Sequence, residues 1–247
     1  MLVSRIHLHP IKGLDPVRVE EARVTASGAL ELDRRWALVD GKGRFVNGKN
    51  RPGIHTIRAE YSVPGLEVSL EGRTFSLSRE GNAIAAWFSE RLSEPLEWRE
   101  NVEAGFPDDT EASGPTFVSA ASIAKVAEWF GWPLVTTGLR FRANIEFGGT
   151  PAFWEDRLYG RSFTAGDVTV DAVNPCARCA VPSRDPFTGQ QDNGFQKRFT
   201  EMRQANLPPW ADPADFKHFY RFTVNTRIAP RHAGKTIRVG DPLFSID

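Results

Sequence analysis

The chain has 247 residues, 40% of them hydrophobic, enough to fill a substantial core and too apolar for a disordered tail. Lys plus Arg number 31 and Asp plus Glu number 31, a formal net charge of zero, so no global basic field draws the chain to nucleic acid or to an anionic membrane. The longest plainly apolar stretch, Ala83 to Phe88, is far too short to span a bilayer, and Arg5, His7, His9 and Lys12 stand where a secretory signal needs an apolar run.

Short extended segments punctuated by turn residues fill the first hundred positions: Leu2 to Leu8, Val17 to Val24, Arg35 to Val39, Arg44 to Val46, Ile54 to Tyr61, Leu66 to Leu70 and Arg73 to Leu77. Asp40-Gly41-Lys42-Gly43 predicts a tight hairpin. It completes neither G-x-G-x-x-G nor G-x-x-x-x-G-K-S/T and so makes a poor nucleotide loop. Ile84, Trp87, Phe88 and Leu92 recur at helical spacing behind Asn82, a cap candidate. Residues 100–113 hold Glu100, Glu103, Asp108, Asp109 and Glu111 with no Lys or Arg, and read as a linker between an N-terminal domain at 1–99 and a C-terminal domain at 114–247.

Ser119 caps a second helix carrying Ile123, Val126, Ala127 and Phe130, with Gly131 and Pro133 as its stop. Arg140 to Phe147, Ser162 to Thr164, Val168 to Val173, His218 to Arg227, Thr236 to Val239 and Leu243 to Ile246 then read as strands. Between Pro186 and Pro213 runs a long excursion with one short helix near Phe195 to Arg203; its aromatics Phe187, Phe195, Phe199 and Trp210 either line a lid or pack into a core. The expected architecture is mainly β, two β-barrel-like domains with a few short helices.

Both cysteines lie in one run, Asn174-Pro175-Cys176-Ala177-Arg178-Cys179-Ala180-Val181-Pro182-Ser183-Arg184-Asp185-Pro186-Phe187-Thr188-Gly189. Two cysteines build neither a disulfide scaffold nor, alone, a four-thiolate cluster, and a reducing cytoplasmic location is expected. A thioredoxin-type pair needs a helix directly behind its thiol, which Pro182 and Pro186 disfavour. Structural zinc would need two further ligands, and His218 and His232 stand fourteen apart, outside the usual spacing. Two alternatives stay open: a thiolate favoured by Arg178 and Arg184 and suited to a soft metal, or two buried, unreactive thiols.

The surrounding pattern resembles the MOSC family, the molybdenum cofactor sulfurase C-terminal domain proteins. In the N-terminal half the matching stretches are His9-Pro10-Ile11-Lys12-Gly13, Leu32-Asp33-Arg34-Arg35-Trp36-Ala37-Leu38-Val39-Asp40 and Gly43-Arg44-Phe45-Val46, which look like the β-barrel domain that precedes MOSC. In the second half they are Arg140-Phe141-Arg142-Ala143-Asn144-Ile145, Glu155-Asp156, the cysteine run and Ile237-Arg238-Val239-Gly240-Asp241-Pro242.

The resemblance implies a molybdopterin-type molybdenum cofactor and, by likeness to the mitochondrial amidoxime-reducing component and its bacterial relatives, reduction of small N-hydroxylated compounds. Cys179 matches the molybdenum ligand, with Cys176 as its neighbour. Lys12, Gly13, Arg34, Ser119, Arg142, Asn144 and Arg178 fall at or beside cofactor-binding positions, as suits a group carrying a phosphate and an electron-rich dithiolene. Asp185 would orient the cysteine loop or relay a proton, though an Asp-Pro turn explains it equally. Electrons would come from a separate reductase or small redox protein. The rival reading is a non-catalytic carrier of the cofactor, or of sulfur as a persulfide on Cys179 or Cys176. Two departures stand out: Gly13 where many relatives have serine, and Pro182 where they have a hydroxyl residue.

Overall fold

Apolar alternation drives the first strand of the chain into the core of its second half. In a computed structural model, which describes residues 1–245, β1 (Leu2–Leu8) buries Val3, Ile6 and Leu8, a register shift between Val3 and Arg5 keeping the first two on one face. The N-terminal half continues with β2 (Val17–Val19), β3 (Glu21–Arg23), β4 (Trp36–Asp40), β5 (Ala59–Ser62), β6 (Glu67–Leu70), β7 (Arg73–Ser76), α1 (Gly81–Leu92) and β8 (Leu96–Glu100). The second half holds β9 (Phe117–Ser119), α2 (Ala120–Phe130), α3 (Leu134–Phe141), β10 (Ile145–Gly148), β11 (Ser162–Ala165) and β12 (Val168–Ala177). It ends with α4 (Phe195–Ala205), β13 (Arg221–Arg227), β14 (Thr236–Arg238) and β15 (Leu243–Ser245).

The protein is mainly β. Eight strands form one sheet in the order β15-β11-β12-β13-β9-β10-β1-β2, while β14-β3, β4-β8 and β5-β6-β7 form smaller sheets. Among the described residues no sheet closes into a barrel, so the pairing does not confirm the two barrel-like units expected from the sequence. Residues 2–24 instead complete sheets of the second half, β1 against β10 and β3 against β14. Three apolar clusters result: one around Ile6, Phe117, Phe147 and Phe163, one around Trp36, Val68, Ile84 and Phe88, and one around Phe141, Phe195, Phe199 and Phe222. Among the described residues no helix is long and apolar enough to cross a membrane.

Several elements differ from expectation for physical reasons. Arg140 to Phe147 is not one strand: Pro133 opens α3 instead of only closing α2, its carbonyl accepting the Thr137 N–H at 3.0 Å. The helix then ends where Arg142 turns to φ 54°, and the strand begins at Ile145. Ile54 to Tyr61 starts as a 3-10 turn, Pro52–Thr56. Val17 to Val24 splits, and Arg44 to Val46 contributes only a Val39–Phe45 bridge. The cap of α1 is Glu80, not Asn82, and its carboxylate accepts the Ser76 N–H at 2.7 Å. β8 is a strand the sequence pattern hid; it pairs along all of β4 and takes in Glu100, the first residue of the expected linker. Strand β13 starts at Arg221, and the predicted end of the last strand, Ile246, lies outside the described residues.

The excursion at 186–213 is anchored, not free. Phe195 and Phe199 are fully buried against Phe130, Phe141 and Tyr220, and the Trp210 indole donates to the Phe153 carbonyl at 3.0 Å. Phe187 alone stays exposed, under the Arg58 guanidinium.

Candidate functional site

A cavity of about 550 Å³ lies between the two halves. Its walls are the turns that follow β1 and precede β4, the segment 104–114, the end of α3 and the end of β12. Strand alternation puts Asn174 and Cys176 on one face of β12, with Asn225 of β13 directly opposite Asn174. Register shifts on both sides of Asn174–Pro175 bend the strand end, and the chain then leaves the sheet into the cysteine loop.

That loop is held at several points. Arg178 donates through Nη1 to the Cys176 sulfur at 3.0 Å and through Nη2 to the Phe141 carbonyl at 2.5 Å. The Tyr220 hydroxyl donates to the Cys179 carbonyl at 2.9 Å. Cys179 Sγ accepts the Val181 N–H at 3.4 Å. Arg140, stacked over Trp132 at 3.7 Å, donates Nη1 to the carbonyls of Pro182 and Arg184 at 2.9 and 2.8 Å. Both thiols are free and half-buried, so the reading of fully buried cysteines does not hold.

The opposite wall is cationic. Arg34 and Arg142 both adopt left-handed backbone, φ 51° and 54°, which costs a non-glycine residue about 1–2 kcal/mol. Arg34 pairs with Asp33, whose other oxygen accepts the His9 N–H at 2.8 Å. Burial opposes ionisation of Asp33, but Arg34 and the His9 contacts outweigh it and hold the carboxyl well below the usual range. His9 is driven the other way, to about 3, by burial and then by Arg142, and is a neutral imidazole. Arg142 donates to the Leu14 carbonyl at 2.7 Å; burial and the Arg34 charge lower its pKa to about 10. Lys12 Nζ donates to Asp108 at 2.7 Å and to the Phe106 carbonyl at 2.9 Å.

Lys12, Gly13, Arg34, Arg142, Asn144, Cys176, Arg178 and Cys179 therefore converge on one cavity. Asn144 reaches its wall with its amide already engaged: Oδ1 accepts from Thr116 and Nδ2 donates to the His7 carbonyl at 3.2 Å. Ser119 does not reach the cavity. It is fully buried, capping α2 through Ala121 N–H and sharing its hydroxyl with Thr150 at 2.9 Å. Asp185 also lies outside the lining; its Oδ1 accepts the Phe187 and Thr188 N–H groups at 2.9 Å, and its turn docks through Gly189 and Pro186 on residues 52–58. Gly13, at φ 93°, leaves a side chain strained and tightly placed: a Cβ would sit 3.3 Å from Asn47 Cα, Val46 O and Ile54 Cδ1.

Sequence reasoning did not single out Asp33, Asp108, Arg140, Asn174 or Asn225. Asp33 and Arg140 stood inside quoted motifs beside chosen residues. Asp108 was hidden in the acidic stretch read as a linker, which in fact runs along the cavity.

The chain matches the MOSC N-terminal beta barrel domain over residues 1–78 and the MOSC domain over residues 114–244, and it belongs to the MOSC domain family. It is 24% identical over 292 residues to mitochondrial amidoxime-reducing component 1 of Homo sapiens, covering 98% of this chain and 82% of that protein. It is 22% identical over 261 residues to the molybdenum cofactor sulfurase of Homo sapiens, covering 83% of this chain and 29% of that protein. Among solved structures it is similar to the YUAD protein of Bacillus subtilis, with a TM-score of 0.43 and 10% identity over 98% of this chain and 93% of that one.

Proposed function

We propose that this protein holds a molybdopterin-type molybdenum cofactor between its two halves and reduces small N-hydroxylated compounds with electrons from a separate redox partner. The observation that carries the reading is the convergence of a half-buried thiol and a surplus of cationic side chains on one cavity. Six cationic side chains line it against four carboxylates, a balance that suits a phosphate carrying about −1.5 to −2 charges. The residues present thus fit the group.

Cys179 would ligate the metal, since among the described residues its sulfur accepts only the Val181 N–H and thiolates suit soft metals. Lys12, Arg34 and Arg142 would hold the phosphate end. When bound, the cofactor supplies the two electrons that, with two protons, convert N–OH to N–H and water. The protein's own part is placement. Arg178 and Arg140 set the cysteine loop, Asp33 aims Arg34, and Asn174 and Asn225, bonded to each other at 3.2 Å, present amide groups beside Cys176. A cytoplasmic location, inferred from thiol usage, belongs to the same reading.

The test is molybdenum and pterin content per chain for wild type and Cys179→Ser purified from a cofactor-competent host, followed by repeated reduction of an aromatic amidoxime with a reduced viologen as donor. Near-stoichiometric metal in wild type, lost in the variant, together with multiple turnover supports the proposal. Wild type devoid of metal and pterin overturns it.

One contact favours the carrier reading: the Arg178 guanidinium at 3.0 Å from Cys176 Sγ would stabilise an anionic persulfide there. One added sulfur on Cys176, with a single release and no turnover, would establish that role instead.

A further inference from the structure

Two carboxylates of different kinds offset the cationic wall of the large cavity. Asp33, beside Arg34, is largely buried, and its Oδ1 accepts the His9 N–H at 2.8 Å. Asp108 reaches in from the surface. It stands 2.7 Å from Lys12 Nζ, yet its side chain is 66% exposed where that of Lys12 is 7% exposed.

The residue sits between two anchors. On one side the Phe106 N–H donates to the Arg34 carbonyl at 2.8 Å, and the Phe106 ring packs on Phe45 at 5.2 Å. Gly105, at φ 60°, lies so close to Asp33 that a Cβ would stand 2.6 Å from the Asp33 carbonyl oxygen. On the other side Asp109 accepts the Glu111 and Ala112 N–H groups, and the Glu111 carbonyl accepts Arg227 Nε and Nη2 at 3.0 and 2.7 Å. The Gly114 N–H then reaches the Thr226 carbonyl at 2.9 Å. Between these anchors, among the described residues, Pro107 and Asp108 make no backbone hydrogen bond, and the only side-chain bond of Asp108 is the one to Lys12. Turning this carboxylate out to solvent therefore breaks one contact and leaves the wall intact.

Lys12 is the ammonium that gains from the exchange. Its Nζ donates to the Phe106 carbonyl at 2.9 Å and to Asp108, which leaves one N–H of an ammonium's three. A phosphate carrying about −1.5 to −2 charges that approaches this N–H would lie beside the Asp108 charge. Like charges set side by side repel strongly in a site partly screened from water. With Asp108 turned away, a second N–H of Lys12 faces the phosphate, and the Phe106 carbonyl still holds the ammonium in place.

We infer that Asp108 is an exchangeable counter-ion of Lys12, which the phosphate group of an entering ligand displaces, whereas Asp33 is a permanent one. This role rests on the phosphate-binding reading of the cationic wall.

The test is isothermal titration of phenyl phosphate into the purified, cofactor-free full chain, comparing wild type, Asp108→Asn and Asp109→Asn. The last variant removes the same charge one residue further on. Asp108→Asn is expected to bind roughly tenfold or more tightly than wild type, and Asp109→Asn to stay within about threefold of it. A crystal structure of the wild-type complex should show the Asp108 carboxylate turned away from Lys12 Nζ. Weaker or unchanged binding by Asp108→Asn would mean that the carboxylate steadies Lys12 for the phosphate. Equal gains in both variants would reduce the effect to general charge, and phosphate bound beside an intact Lys12–Asp108 pair would mean that the two share the ammonium. Each of these three results overturns the counter-ion role and leaves the phosphate reading standing. No binding by wild type or by either variant overturns both.

Discussion

Arg203 of α4 and Asp156 form an ion pair in which each side chain is only 1% exposed. The guanidinium also lies over the Phe153 ring at 4.2 Å, and Asp156 accepts the Tyr159 hydroxyl at 2.7 Å. Removing one partner leaves the other charged and buried, so Arg203→Met is expected to destabilise the protein by about 3–5 kcal/mol. The double variant Arg203→Met with Asp156→Asn should recover much of that loss. Urea denaturation of Arg203→Met, Asp156→Asn and the double variant checks it; equal losses in single and double variants would sink the pair as the cause.

Beside that pair, Glu155 points one oxygen at α2, accepting from Ser122 Oγ at 2.9 Å and Ser119 N at 3.3 Å, while Oε1 has no partner among the described residues. Burial, then the Asp156 charge, raise its pKa to about 8. A raised folded-state value means that the group's contribution to stability is fully present below its unfolded pKa, near 4.5, and is lost as pH climbs through about 8. Glu155→Gln keeps the accepting oxygen and removes the titration. Wild type and variant should melt together near pH ~4, and the variant should melt higher near pH ~9. Parallel melting curves across that range would refute the assignment.

Gly13→Ser would restore the hydroxyl that many relatives carry, yet here it is expected to lose about 1–2 kcal/mol, because φ 93° and the contacts at Asn47 and Val46 leave no strain-free place for a Cβ. Chemical denaturation of the variant measures this. Unchanged stability would show that the Lys12–Gly13 turn relaxes easily.

Arg140→Lys preserves charge but loses the fork on the Pro182 and Arg184 carbonyls. A charge-assisted hydrogen bond is worth about 1.5–3 kcal/mol, so the open form of the loop should rise roughly tenfold or more. Alkylation of Cys179, followed by mass spectrometry, should accelerate accordingly; an unchanged rate would mean that Tyr220 and Arg178 suffice to hold the loop.

The cationic wall and the thiols were legible in sequence because Lys12, Arg34, Arg142, Cys176 and Cys179 stand in short runs that resemble a known family. Their partners were harder to see. Asp108 sits in a stretch whose acidity reads as solvation, and only the fold brings it to Lys12, 96 residues away. Ser119 was ambiguous for the opposite reason: a helix-capping serine and an anion-binding serine leave the same trace, and only the fold shows this hydroxyl turned to Thr150, outside the cavity lining. α3 stayed hidden because proline both ends and begins helices, and because Arg140 to Phe147 alternates like a strand until Arg142 reverses its φ. β8 lies on the solvent side of its pair, with only Leu96 buried, so it lacked the apolar pattern that marks a strand.

The pairing of β1 with β10 also sets a schedule for synthesis. The Ser4 hydroxyl donates to the Glu146 carbonyl 142 residues further on, and at about 5–20 residues per second the ribosome takes roughly 7–28 s to supply that partner. Throughout this interval the first strand, with Ile6 and Leu8 bare and only the short β2 at hand to pair one of its two edges, is an adhesive segment looking for any available sheet. Yield of this protein in the cell is therefore governed by how well that waiting strand is shielded, and slowing translation ahead of residue 145 should raise the aggregated fraction without altering the finished molecule.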